Sequence, residues 1–109
     1  MKVEYISTFF ADVTAFAEFL DKYPRKARRI LKKLDRILER LPDLPKLHPI
    51  YEDYPEFRKI VIEDYLVFYK IIDGKKLIEV HRLLYGGMDI RKQLGSENKL
   101  DQNPAEKAQ

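Results

Sequence analysis

Cysteine is absent from the 109 residues, which excludes a disulfide, a thiolate nucleophile and a cysteine-based zinc site. Histidine is scarce: with only His48 and His81 available, neither a metal site nor a cofactor is expected. No apolar run approaches the roughly 20 residues that span a bilayer, so no membrane role is expected. The opening stretch MKVEYISTFF has charge at Glu4 and aromatics among its apolar residues, and lacks the apolar core and small-residue cleavage site of a secretory signal. The sequence therefore predicts a cytoplasmic protein that keeps its N-terminus. Internal repeats and low-complexity tracts are lacking as well.

What is present fits one globular domain. A chain of this length has room for a single core that buries about two thirds of its unfolded surface. The net charge of +3 is modest but unevenly spread. Between Pro24 and Leu41 stand Arg25, Lys26, Arg28, Arg29, Lys32, Lys33, Arg36 and Arg40 against only Asp35 and Glu39, a local net of +6. Such a segment suits a polyanion or an acidic partner, and its plainer reading is a solvated helix face.

Hydrophobic periodicity orders the elements. KVEYIS, residues 2 to 7, predicts a short strand. From Phe9 to Tyr23 the positions Phe10, Val13, Phe16, Ala17 and Leu20 recur at helical spacing, with Ser7 or Thr8 as N-cap. Pro24 suits the first turn of a second helix, whose stripe is Ala27, Ile30, Leu31, Leu34, Ile37, Leu38 and Leu41. The short break between them predicts an antiparallel hairpin. LPDLPKLHP, residues 41 to 49, holds three prolines and predicts an extended loop. Residues 56 to 63, 65 to 72 and 75 to 85 then read as three strands, joined at Glu63-Asp64 and at the hairpin dipeptide Asp73-Gly74. YGGMDIRKQLG adds one short helical turn, and the stretch from Ser96 has one large apolar residue, Leu100. The expectation is an α+β domain over 1–95, a two-helix hairpin on one face of a small antiparallel meander, followed by a disordered tail over 96–109.

A two-residue turn at Asp73-Gly74 would oppose Ile72 to Lys75, Lys70 to Leu77, Phe68 to Glu79 and Leu66 to His81. One face then carries Tyr65, Val67, Tyr69, Ile71, Ile78, Val80, Arg82 and Leu84, and receives the helices with Ile60 and Ile62. The other gathers Lys59, Lys70, Glu79, His81 and Tyr85 around Phe57, Val61, Leu66 and Phe68, a patch apolar enough to predict a bound partner. Each of these residues also has a plain reading. Lys70 with Glu79 is a surface ion pair, His81 a hydrogen-bonded structural histidine, and Arg82 snorkels past the sheet edge or meets a carboxylate.

The stretch FRKIVIEDYLVFYKIIDGKKLIEVHRLLYGGMDI, residues 57 to 90, resembles the toxins of the RelE/ParE superfamily of type II toxin-antitoxin systems. Arg58, Ile60, Val61, Tyr65, Val67, Tyr69, Ile71, Val80, Arg82, Leu84, Tyr85, Gly86 and Asp89 fit its pattern. With the helical hairpin included, the resemblance covers about residues 1 to 94. It implies a cognate antitoxin as partner, and either of two targets. RelE-like members cleave messenger RNA on the ribosome, whereas ParE-like members poison DNA gyrase. The nucleases supply arginines and a tyrosine at places where this chain has Leu66, Met88 and Leu94, which favours the gyrase branch. Under the alternative, Lys59, Lys70 and Arg91 would hold phosphate, with His81 or Tyr85 as acid or base. The basic helix face Arg25, Arg28, Arg29, Lys32 and Arg36 is a further candidate surface.

Overall fold

The computed structural model describes residues 1–95; the tail expected from Ser96 lies outside the described residues. The element order is β1 (Lys2–Tyr5), α1 (Ser7–Phe19), α2 (Pro24–Arg40), β2 (Arg58–Ile62), β3 (Tyr65–Ile72) and β4 (Leu77–Tyr85), closed by α3 over 90–95. The four strands form one sheet in the order β1-β4-β3-β2. β2, β3 and β4 are the expected antiparallel meander, and β1 adds to it in parallel beside β4, pairing Lys2 with Leu77 and Tyr5 with Val80. The sheet is therefore mixed.

The predicted helical hairpin covers one face. Pro24 opens α2, and Ile30 and Leu34 lie buried beneath it with Leu41, as the stripe predicts. On α1 the buried positions are Phe9 and Phe16, with Leu20 buried at its C-cap, while Phe10 and Ala17 face solvent. These side chains meet Ile60, Ile62, Tyr65, Val67, Tyr69, Ile78, Val80 and Leu83 in one core. Each fully buried aliphatic side chain contributes about 1.5–3 kcal/mol of transfer free energy to that core. Neither Ser7 nor Thr8 caps α1. The cap residue is Ile6, held by its N–H donating to Val80 O at 3.0 Å, and Ser7 is already helical. Thr8 Oγ1 donates instead to His81 O at 2.9 Å, a bond to the flank of β4 that β1 no longer covers. Tertiary pairing has displaced the local cap.

The turn after β3 departs from the two-residue expectation. Asp73–Lys75 forms a 3-10 turn, Lys76 adopts φ 50°, and Ile72 pairs with Leu77. The loop thus has four residues, and the left-handed position falls on Lys76 where Gly74 was expected to take it. Lysine pays a steric cost there that glycine does not. Lys76→Gly should therefore raise stability by about 0.5–1 kcal/mol, read from a shift of the urea midpoint at constant slope.

A second departure follows along the same hairpin. Tyr69 pairs with Val80 but Phe68 pairs with Arg82, so the register skips one position and His81 forms a bulge. One extra residue reverses the facing of everything after it. Leu83 thereby joins the helix-side core, and Leu84, expected on that side, joins Phe57, Phe68 and Leu94 on the other. Tyr85 pairs with Tyr65 and so shares the helix-side face.

Candidate partner-binding site

The face expected to lie open is closed by the chain itself. Residues 50 to 57 and α3 fold over it, and Phe57, Phe68, Leu84 and Leu94 make a second buried cluster flanked by Tyr51, Tyr54, Leu66 and Ile90. Phe57 and Phe68 are 0% exposed and His81 2%, so these three present no surface to a partner. The aromatic run YEDYPEF supplies the cover: Tyr51 and Phe57 pack their edges on Phe68, and Tyr54 donates its hydroxyl to Arg91 O at 3.1 Å. Asp89 starts α3, accepting from the Lys92 N–H at 3.2 Å. Leu66, Lys59, Lys70 and Glu79 are half-buried, and only Val61 and Tyr85 of the nine predicted residues are substantially exposed, at 59% and 45%.

Within this face the charges are spoken for. Lys70 sits directly opposite Glu79, not diagonal to it, and its Nζ lies 4.8 Å from the Phe57 ring centre. His81 Nε2 is 3.1 Å from Glu79 Oε1, and its ring meets Phe57 edge-on at 5.4 Å. Lys59 Nζ lies 5.7 Å from the Tyr51 ring centre. Arg91, on α3, reaches Asp53 at 3.8 Å. Lys59, Lys70, Glu79 and His81 therefore share one face, while Tyr85 stands on the opposite one beside Tyr65. The five residues proposed for phosphate and proton chemistry are not gathered around one accessible point.

Arg82 meets a carboxylate, the second of its two plain readings. Its Nε and Nη2 donate to Asp12 Oδ2 and Oδ1 at 2.7 and 3.1 Å, and Nη1 and Nη2 reach the Gln93 carbonyl and side chain at 3.4 and 3.3 Å. Asp12 Oδ2 also accepts the Leu83 N–H at 3.0 Å. Above this network a cleft of about 280 Å³ opens between α1 and the end of β4, with Phe19, Tyr85 and Met88 exposed at its rim. Gly86 shapes that rim: its N–H donates to Asp64 O at 2.8 Å, and a Cβ would stand 3.1 Å from the same oxygen.

The basic face of α2 divides in two. Lys26 pairs with Asp64 at 3.0 Å, Arg29 forks onto Glu63 at 2.7 and 2.8 Å, and Lys33 joins Glu63 at 3.0 Å. These bonds hold the β2–β3 turn, where Glu63 itself takes φ 54°. Arg25, Arg28, Lys32 and Arg36 are exposed and have no carboxylate partner among the described residues. The hydrogen bonds from Arg29 and then Lys33 hold the Glu63 carboxyl at about 2, below its ordinary 4.5. A carboxyl depressed in the folded state stabilises above its unfolded value and loses that contribution as pH falls towards the folded one. Stability should accordingly decline between about pH 4.5 and about pH 2, and Glu63→Gln should flatten that part of the urea-midpoint profile, less so in high salt.

The sequence allowed a carboxylate for Arg82 but did not point to Asp12 as that group, to the cover formed by residues 50 to 57 or to the parallel pairing of β1. Only the cover had a local signal, three aromatics in YEDYPEF spaced to lie on one side of a short loop. Among the described residues no group of three or more histidines and carboxylates stands ready to hold a metal ion. No described helix is long and apolar enough to cross a membrane.

Comparison with known proteins adds three findings. A family model described as the ParE toxin of the type II toxin-antitoxin system parDE matches residues 3–90. No curated protein matches the chain. Among solved structures, the chromosomal ParDE TA system from P. aeruginosa superposes with a TM-score of 0.56 at 20% identity, covering 78% of this chain and 95% of that one. At that identity the likeness speaks for the fold.

Proposed function

Because the chain belongs to the ParE toxin family of type II toxin-antitoxin systems, we propose that it arrests growth by binding DNA gyrase, and that a cognate antitoxin encoded beside it holds it inactive. The observation that carries this reading is the dispersal of the candidate nuclease residues. Ribonucleolytic cleavage needs cations on the scissile phosphate and an acid or base at the 2′-hydroxyl, all converging on one solvent-reachable point. His81 lies under Phe57, Tyr85 is across the sheet, and Leu66 and Leu94 serve the second core. A toxin that acts by occupying its target has no such requirement. It needs exposed, shaped surface, and the cleft rimmed by Phe19, Tyr85 and Met88 offers that.

Purified protein titrated into a gyrase supercoiling reaction is expected to inhibit it, and induced cells are expected to filament. Primer extension on transcripts from the same cells should show no ribosome-phased cuts. Phased cuts together with unimpaired supercoiling would overturn the gyrase reading in favour of a ribosome-dependent messenger-RNA endonuclease.

A further inference from the structure

β1 ends the sheet: β4 pairs with one of its sides, and no strand among the described residues pairs with the other. Lys2 N–H donates to Lys76 O at 3.2 Å and Ile6 N–H to Val80 O at 3.0 Å, so by the alternation of a strand residues 2, 4 and 6 turn their backbone groups towards β4. Those of Val3 and Tyr5 turn outward. Nothing among the described residues bonds to them. Edge strands are ordinarily blunted by charge, and Lys2 alone would do this. Glu4 stands beside it on the same face, its Oε1 3.6 Å from Lys2 Nζ, and both side chains are exposed.

A strand added antiparallel here must bond to residues 3 and 5, and two copies of one strand close on each other only about a two-fold axis. Few registers within β1 do both. With Val3 opposite Tyr5, Glu4 meets Glu4 of the second copy, like charges directly opposed. With Tyr5 opposite itself, Val3 falls opposite Ser7, which is already helical. With Val3 opposite itself, Lys2 meets Glu4 on both sides of the axis, and Met1 meets Tyr5. The last contact is apolar: Met1, Tyr5 and Phe10 are 38%, 38% and 57% exposed, and the Tyr5 and Phe10 ring centres lie 6.1 Å apart. A thioether against two rings is a favourable contact. Charge and apolar surface thus select the same register independently.

We propose that β1 is a self-association edge: two copies of this chain pair their β1 strands antiparallel about a two-fold axis at Val3, with Lys2 on Glu4 and Met1 on Tyr5 and Phe10, joining the two sheets into one. Val3 N–H and C=O of each copy bond to those of the other, and Tyr5 N–H of each reaches the Met1 carbonyl across the axis. An unrelated extended peptide would find the backbone groups but not this order of charges. So short a strand makes a small interface, and the dimer is reversible. The pairing does not depend on the function proposed above.

Sedimentation velocity of the full chain from micromolar to near-millimolar concentration tests the pairing. The wild type should pass from monomer to dimer, and exchange at the Val3 and Tyr5 amides should slow as it does, while the Glu4 amide, turned towards β4, is unchanged. Val3→Pro removes an outward N–H without touching the ladder to β4, and should keep the chain monomeric with its far-ultraviolet spectrum unchanged. Lys2→Glu and Glu4→Lys should each weaken association about tenfold or more, since each sets like charges opposite one another on both sides of the axis. An equimolar mixture of these two variants should regain wild-type association, because each then meets opposite charges; no repair of the bridge within one chain does that. A wild type that stays monomeric throughout, wild-type association in Val3→Pro, or a mixture no tighter than its components overturns the edge pairing. Dimerisation with Val3 and Tyr5 amide exchange independent of concentration places the contact elsewhere and overturns it as well.

Discussion

Asp12→Ala is expected to destabilise the protein by about 3–5 kcal/mol, among the largest losses available to one substitution in this fold. Asp12 accepts both prongs of the Arg82 guanidinium and the Leu83 N–H, and the two charged side chains are only 14% and 13% exposed. Truncation strands a desolvated cation and a backbone donor together. The cause lies in the sheet: β1 covers β4 only as far as Val80, so beyond that point α1 must satisfy the flank of β4 with side chains. Thr8 takes the His81 carbonyl and Asp12 takes the Leu83 N–H. A urea melt with unchanged slope would measure the loss. Asp12→Leu combined with Arg82→Met should recover most of it, since replacing both partners removes the stranded charge. A loss below about 1 kcal/mol for Asp12→Ala would mark the pair as an ordinary surface bridge.

This pair also shows where sequence reasoning reaches and where it stops. Periodicity located α2 from its Ile30 and Leu34 stripe, because helical repetition is a property of neighbouring residues. It placed Ile60, Ile62, Val67, Tyr69, Ile78 and Val80 on the helix-facing side, since a register error of two leaves facing unchanged. It failed beyond Val80, where a bulge at His81 shifts the register by one. No composition rule marks a histidine as a bulge. The exchange of Leu83 for Leu84 in the helix-side core, and the move of Tyr85 to that face, both follow from this local event. The apolar patch was legible as residues, but not as something the chain covers itself, because coverage depends on where a loop lands.

The closure of that face has a mechanical meaning for the proposed function. A binding toxin keeps its apolar interior out of reach while presenting separate surfaces, here the α1–β4 cleft and the β1 edge. The two lie towards opposite ends of α1, which brings Phe10 to the edge beside Tyr5 and Phe19, about 13 Å further along the helix, to the cleft. A second copy on the edge therefore need not compete with a target for the cleft.

Phe57→Ala should cost about 3–5 kcal/mol, because the second core is as much a part of the fold as the first. Phe57 is 0% exposed; its ring packs on Phe68 at 6.3 Å and on His81 at 5.4 Å, and it lies 4.8 Å from the Lys70 ammonium. Alanine removes all three contacts and leaves a void walled by Phe68, Leu84 and Leu94. Phe57→Leu keeps most of the volume and should cost less than about 1.5 kcal/mol. The difference between the two variants is the informative quantity. Were residues 50 to 57 a loosely seated lid, both changes would fall below about 1.5 kcal/mol and amide exchange would be fast from Tyr51 to Arg58 before global unfolding. With the cover integral, those amides exchange only with the β3–β4 ladder. Growth arrest by Phe57→Leu should match the wild type, because a side chain with no exposed surface cannot be the one that grips a target.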